Sequence, residues 1–250
     1  YTLSITIVGE GTVSKSPDQA TYSYGTVVTL TATPNVGWGF SGWSGDLSGS
    51  ANPATITMDS DKSVTATFTQ NQYILTINIV GSGSVSKSPD QATYTHGTVV
   101  TLTATPDAGW TFSGWSGDLS GTDNPTTILM TGNKSVTATF TQNQYTLTTS
   151  IEGSGSITRS PDQATYTYGV VVTLTAVPDL GWSFSHWTGD LTGSENPATI
   201  TITGNMVVTA TFTQDQYTLT VTSDGSGSVI KNPDQATYTY GTSVELIATP

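Results

Sequence analysis

Apolar and polar residues alternate along most of the chain, and this alternation predicts half-buried β-strands. Leu3, Ile5 and Ile7 are separated by Ser and Thr, and the same period of two returns at residues 28–32 and 64–68. No segment has the 3.6-residue period of an amphipathic helix. The pattern therefore predicts about six strands in each 72-residue stretch and no helix.

Short polar turns between alternating segments predict two hairpins. Gly9-Glu10-Gly11 separates the first strand from residues 12–15, and Ser60-Asp61 separates residues 56–58 from residues 64–68. The second turn becomes Gly132-Asn133 and Gly204-Asn205 further along, a pair typical of tight turns. Residues 38–44 form a strand interrupted by glycine, which favours a bulge.

The whole pattern returns every 72 residues without insertion or deletion. Segments of the same kind begin at Tyr1, Tyr73, Tyr145 and Tyr217. A fixed period of this size is typical of an array of one small domain. We predict β repeats at 1–72, 73–144 and 145–216 and a partial repeat at 217–250. Because the last repeat stops at the counterpart of Pro34, we expect the sequence to be a piece of a longer protein.

The charge and composition of the chain exclude several classes of binding partner and site. The net charge is −12 with only six basic residues, so nucleic acid is excluded as a partner and anionic membrane surfaces are disfavoured. No apolar run approaches the length of a membrane span, so we expect no membrane insertion in this segment. The absence of cysteine excludes disulfides and thiolate metal sites.

Two motifs carry a family resemblance over the whole of each repeat. Gly-Trp-x-Phe-x-x-Trp-x-Gly-Asp-Leu begins at Gly37, and Val-Thr-Ala-Thr-Phe begins at Val64. The chain thereby resembles the divergent internalin B-repeat family of secreted and surface proteins. The resemblance implies an all-β fold that is β-grasp-like with a mixed sheet, and the strand count also fits a small sandwich. It further implies an extracellular or cell-surface location, no catalytic residue and no enzymatic activity.

The aromatic residues of each repeat leave two interpretations open. Trp38 and Phe40 share one strand face, and Trp43 joins them only if Gly42 marks a bulge. The rings form either a core cluster or an exposed platform that stacks on polysaccharide. The platform candidates are Trp38, Trp43, Trp110, Trp115, Trp182 and Trp187.

Metal and glycan attachment sites have weaker signals. Calcium needs several oxygen ligands, with more than one carboxylate in tight sites, whereas each repeat offers aspartates that can equally cap turns. The weak calcium candidates are Asp18, Asp46, Asp90, Asp118, Asp162 and Asp190. No other cofactor is expected, because His96 and His186 stand at different positions of the repeat without a repeated partner set. Asn133 lies in the only Asn-x-Ser/Thr sequence that lacks proline, which makes it a candidate glycosylation site.

Two functions fit these observations. The first is a structural or adhesive array that acts as a stalk, fibre, filament or sheath element and contacts its own repeats or copies of the same chain. The second is a set of carbohydrate-binding accessory modules. Burial of the tryptophans distinguishes the two.

The tethers between repeats predict that the domains lie end to end as a rod. Each tether is three polar residues, such as Gln70-Asn71-Gln72, and is too short to let one repeat fold back on another. Small-angle scattering on the three full repeats should give a radius of gyration clearly above the ~17 Å of a compact globule of the same length. A value near ~17 Å would contradict the rod.

Overall fold

The computed structural model describes residues 1–250 and contains β-strands but no helix. No helix of the chain is therefore long and apolar enough to cross a membrane. The chain divides into two compact units, Tyr1–Thr141 and Gln142–Pro250. The all-β class and the similar repeating units predicted from the sequence are confirmed.

The first repeat consists of two three-stranded sheets. One sheet has the order β1-β6-β4, with β1 parallel and β4 antiparallel to the central β6. The other has the order β2-β3-β5 and is antiparallel throughout. The strands are β1 Leu3–Val8, β2 Gly11–Ser16, β3 Thr26–Pro34, β4 Trp38–Gly45, β5 Ala54–Met58 and β6 Lys62–Gln70. The mixed sheet implied by the resemblance is present.

The two predicted hairpins are wrong. β1 and β2 belong to different sheets, and so do β5 and β6, so each short turn carries the chain from one sheet to the other. Period-two alternation shows which face of a strand is buried but not which sheet the strand joins. The turn residue Asp61 instead accepts a hydrogen bond from the backbone N–H of Thr2 at 2.7 Å and thereby fixes the start of β1.

The core of the repeat lies between the two sheets. Its buried residues alternate along the two central strands, with β3 contributing Val28, Leu30 and Ala32 and β6 contributing Val64, Ala66 and Phe68. The Thr residues between them face outward, where β-branched side chains suit a half-exposed strand. No polar or charged residue is buried, so the core consists of apolar and aromatic side chains.

The second and third repeats reproduce both sheets and add a two-stranded pair at the start of each. The second repeat has β7 Gln72–Tyr73, β8 Leu75–Val80, β9 Gly83–Ser88, β10 Tyr94–Thr95, β11 Val99–Pro106, β12 Trp110–Gly117, β13 Thr126–Leu129 and β14 Lys134–Gln142. The third has β15 Gln144–Tyr145, β16 Leu147–Glu152, β17 Gly155–Ser160, β18 Tyr166–Thr167, β19 Val171–Pro178, β20 Trp182–Gly189, β21 Ala198–Thr201 and β22 Met206–Gln214. The added pairs are β7 with β10 and β15 with β18.

The partial repeat keeps only part of this architecture. Its strands are β23 Gln216–Tyr217, β24 Ser228–Asn232, β25 Tyr238–Thr239 and β26 Glu245–Thr249. Leu246 is 51% exposed, whereas its counterparts Leu30 and Leu102 are fully buried. The difference follows from the missing strands, since β5 and β6 and their counterparts cover this position in the full repeats.

Candidate functional site

A bulge in β4 brings the aromatic residues of one repeat together. The register of β4 against β6 shifts between Phe40 and Gly42, so that Phe40 and Trp43 both turn towards the core. Their ring centroids are 4.9 Å apart, and Phe40 meets Phe68 edge-on at 5.7 Å. The bulge predicted from the sequence is therefore present. His186 occupies the counterpart of Gly42 in β20 with the same register shift.

Trp43 is a core residue that also anchors the loop after β4. It is 4% exposed, and its Nε1–H donates to the carbonyl oxygen of Ala51 at 2.9 Å. Its backbone N–H donates to Gly49 O at 2.7 Å. Trp115 and Trp187 are buried in the same way, at 5% and 1% exposure. A buried indole cannot stack on a sugar, so the glycan-platform hypothesis is wrong for Trp43, Trp115 and Trp187.

Trp38 is half-buried, and its ring lies on the corner between β1 and β2. A Cβ added to Gly9 would lie 2.9 Å from Trp38 Cζ3, and one added to Gly11 would lie 2.6 Å from the ring of Phe68. The same contacts return at Gly81 and Gly83 and at Gly153 and Gly155. The Gly-x-Gly motif therefore lets two rings approach the backbone, and at Gly9 the φ of +85° and the Phe68 carbonyl oxygen, 2.3 Å from an added Cβ, also exclude a side chain. Trp110 and Trp182, the counterparts of Trp38, are also half-buried.

An asparagine side chain, which sequence reasoning missed, extends the β3 ladder. Asn52 Nδ2 donates to Ala32 O at 2.7 Å, and its Oδ1 accepts from Ala32 N–H at 2.9 Å. The amide thus mimics the paired backbone of another strand. Asn124 and Asn196 make the same pair of bonds to Ala104 and Ala176. The recurring Asn-Pro dipeptide was the signal, although it reads as an ordinary loop ending.

Asp46, Asp118 and Asp190 fasten the end of β4 or its counterpart to the neighbouring central strand. In the second repeat the backbone N–H of Ser135 donates to Asp118 Oδ2 at 2.7 Å, while Asp118 N–H donates back to Ser135 O at 2.9 Å. This bond to the ionised carboxylate, aided by the nearby Lys134, lowers the pKa of Asp118 below its usual 3.8. Asp46 and Asp190 bond the backbone N–H groups of Ser63 and Val207 at 2.7 Å.

Asp18, Asp90 and Asp162 have a different partner, the cation three residues earlier. The pairs are Lys15–Asp18 at 3.1 Å, Lys87–Asp90 at 3.0 Å and Arg159–Asp162 at 2.7 Å, with the carboxylates exposed. Exposed pairs of this kind contribute about 0–1 kcal/mol. The structure thus gives the two sets of calcium candidates separate partners, and no group of three or more His, Asp or Glu side chains is placed to share an ion.

The remaining candidates are isolated. Asn133 is exposed, and its Oδ1 accepts from the backbone N–H of Ile74 at 2.9 Å, as Asp61 does from Thr2. His186 is exposed beside Ser185, with Nδ1 and Oγ 2.9 Å apart. His96 meets the ring of Tyr73 edge-on at 6.2 Å. None of these three belongs to a cluster of chemically reactive side chains.

A concavity of about 580 Å³ lies on the partial repeat, between Tyr217, Leu219 and Leu246. A second, of about 290 Å³, lies beside Trp187 and Glu195 in the third repeat. The first occupies the place where the full repeats have their second-half strands, and neither gathers a set of convergent catalytic groups.

Comparison with known proteins identifies the repeat itself. The family model described as the divergent InlB B-repeat domain matches residues 1–72, 73–144, 145–216 and 217–250. No curated protein matches the chain.

Replacing the buried tryptophan should destabilise a repeat without changing an exposed surface. We expect Trp115→Ala to lower the free energy of unfolding of the second repeat by about 3–5 kcal/mol, because a core aromatic is lost. Val99→Ala, at a side chain 55% exposed, is the control and should change it by less than about 0.5 kcal/mol. Hydrogen exchange of β14 amides measures both. A loss below about 1 kcal/mol for Trp115→Ala, together with lost glycan binding, would restore the platform.

The bond between Asp118 and Ser135 should respond to acid. Since folding lowers the pKa of Asp118, the carboxylate contributes stability above its unfolded pKa, and this contribution is lost as pH falls through the lower folded pKa. In an NMR titration, the Ser135 amide proton should therefore move with a midpoint below 3.8. Asp118→Asn should abolish that movement. A midpoint at or above 3.8 would show that the bond is not formed in solution.

Proposed function

The chain belongs to the divergent InlB B-repeat family, and we propose that it acts as a non-enzymatic structural spacer in the extracellular part of a surface protein. Its units are B-repeat domains of bacterial surface proteins. The proposed task is to hold whatever it carries at a set distance from the cell, with the neighbouring repeats as its main partners.

The observation that carries the proposal is the way the tether is bonded on both sides. Gln70 pairs with Trp38 at the end of β6, and Asn71 N–H donates to Gly37 O at 2.8 Å. Gln72 and Tyr73 then form β7, which pairs with β10 of the next repeat. No residue between the two repeats lacks a backbone partner, so the tether is an extension of both folds and not a flexible linker.

The burial of the second tryptophan of each repeat favours the spacer over carbohydrate-binding modules. These indoles complete the core, and half of the proposed platform is therefore unavailable to a sugar. The aspartates likewise have structural roles, because they hydrogen-bond strand ends or form ion pairs with lysine. The tryptophans and aspartates of the repeat thus stabilise its fold, which supports a spacer more than an enzyme.

A display experiment tests the proposal. Chains with one, two and three full repeats are placed between a cell-surface anchor and a terminal epitope, and localisation microscopy measures the height of the epitope above the cell. We expect the height to rise in proportion to the number of repeats. Gly/Ser chains of equal length are the control, since the reach of a flexible chain rises only as the square root of its length.

Two results would contradict the spacer. The first is a height that follows the square root, as for the Gly/Ser chains. The second is specific binding of the purified 250-residue chain to a polysaccharide that is lost on replacing Trp38, Trp110 and Trp182 with Ala. The second result would establish the carbohydrate-binding alternative.

A further inference from the structure

We propose that successive repeats are held in a fixed orientation by a ring seated on a glycine: the side chain at His96 or Tyr240 rests on the Gly-Trp turn of the repeat before it. This inference rests on the proposed spacer function, because it names the contact that makes the spacer stiff. The contact occurs once within Tyr1–Thr141 and once within Gln142–Pro250, so two separate parts of the chain support it.

The turn of the first repeat has no room for a side chain. Gly37 is buried, and a Cβ placed on it would lie 2.4 Å from His96 Cβ and 2.5 Å from His96 Cγ. Its φ of +81° is a conformation that only glycine adopts at low cost. Glycine is therefore required twice, by the backbone conformation and by the imidazole that lies against it.

The second instance has a different ring but the same geometry. A Cβ on Gly181 would lie 2.4 Å from Tyr240 Cβ and 2.7 Å from Tyr240 Cγ, and φ of Gly181 is again +81°. Because imidazole and phenol both fit, the contact does not depend on a particular polar atom; the nearest atoms are Cβ and Cγ of each side chain. An aromatic side chain buries area against a flat peptide group at a small cost in conformational entropy.

The tether converges on the same turn. The carbonyl oxygens of Gly37 and Gly181 accept hydrogen bonds from the tether residues Asn71 and Asp215, each at 2.8 Å. One glycine thus bonds the chain that leaves its repeat and contacts the ring of the repeat that follows. Two attachments on one residue restrict rotation of the next repeat about the tether, which a single covalent connection would permit.

Exposure of the equivalent tyrosines agrees with this account. Tyr24 of the first repeat, which no turn of an earlier repeat covers in this chain, is 77% exposed, whereas Tyr240 is 51% exposed. The lower exposure of Tyr240 accords with its contact with Gly181.

The chain has no cysteine, so two labels can be placed without background. Ser14→Cys and Ser86→Cys put spin labels at exposed, equivalent positions of β2 and β9, and pulsed electron spin resonance measures their distance distribution in the full chain. We expect a narrow distribution that broadens with Gly37→Ala, because the added methyl group displaces the His96 ring. Gly25→Ala is the matched control, since φ of Gly25 is +82° but nothing lies within 4 Å of an added Cβ.

Two ring variants complete the test. His96→Tyr should keep the narrow distribution, as Tyr240 predicts, and His96→Gly should broaden it although Gly37 is intact. Equal distributions for Gly37→Ala and Gly25→Ala, or a broad distribution in the unmodified chain, would overturn the proposal. If Gly37→Ala fails to fold, His96→Gly decides alone: an unchanged narrow distribution overturns the proposal and a broadened one supports it. The epitope height is measured separately, so a rigid joint without linear reach would refute the spacer function and leave the joint standing.

Discussion

Each repeat depends on the close approach of aromatic rings to glycine backbone. Two three-stranded sheets enclose a thin core, and the corner between β1 and β2 is closed by the ring of Phe68 on Gly11 and the edge of Trp38 on Gly9. A large ring buries 150–250 Å², which corresponds to about 4–6 kcal/mol at ~25 cal/mol per Å² as an upper bound. The net stability expected for a domain of this length is about 4–11 kcal/mol. One such ring is therefore comparable to the whole margin by which a repeat stays folded.

Local patterns in the sequence predicted some features of the fold, whereas features that depend on distant residues could not be predicted. Alternation located the central strands and their buried faces, and the glycine within residues 38–44 correctly favoured a bulge. Alternation could not assign strands to sheets, because a turn between two alternating segments serves a hairpin and a crossing between sheets equally well. The role of the Asn52 amide could not be predicted for a related reason, since it depends on Ala32, twenty residues away in sequence. The sequence also could not show that Trp43 is buried whereas Trp38 is only half-buried, and this difference decides which of them could contact a sugar.

Glycine-ring contacts recur at two levels and connect the fold to the proposed function. Within a repeat they close the core, and between repeats Gly37 and Gly181 receive the rings of His96 and Tyr240. Polar side chains act mainly on backbone: Asp61, Asp46 and Asn52 each fix a strand end or a loop. These polar side chains are therefore engaged by the chain's own backbone.

The central claim is tested most directly by one methyl group. In Gly83→Ala the added Cβ would lie 2.6 Å from the Phe140 ring, with no unusual φ to confuse the result, and Gly132→Ala in the same repeat adds a methyl group with nothing within 4 Å. Hydrogen exchange of β14 amides gives the free energy of unfolding of the second repeat for both variants. The account predicts a loss of about 1–3 kcal/mol for Gly83→Ala and little change for Gly132→Ala. Equal stabilities would contradict it, because the rings would then not depend on the glycine backbone.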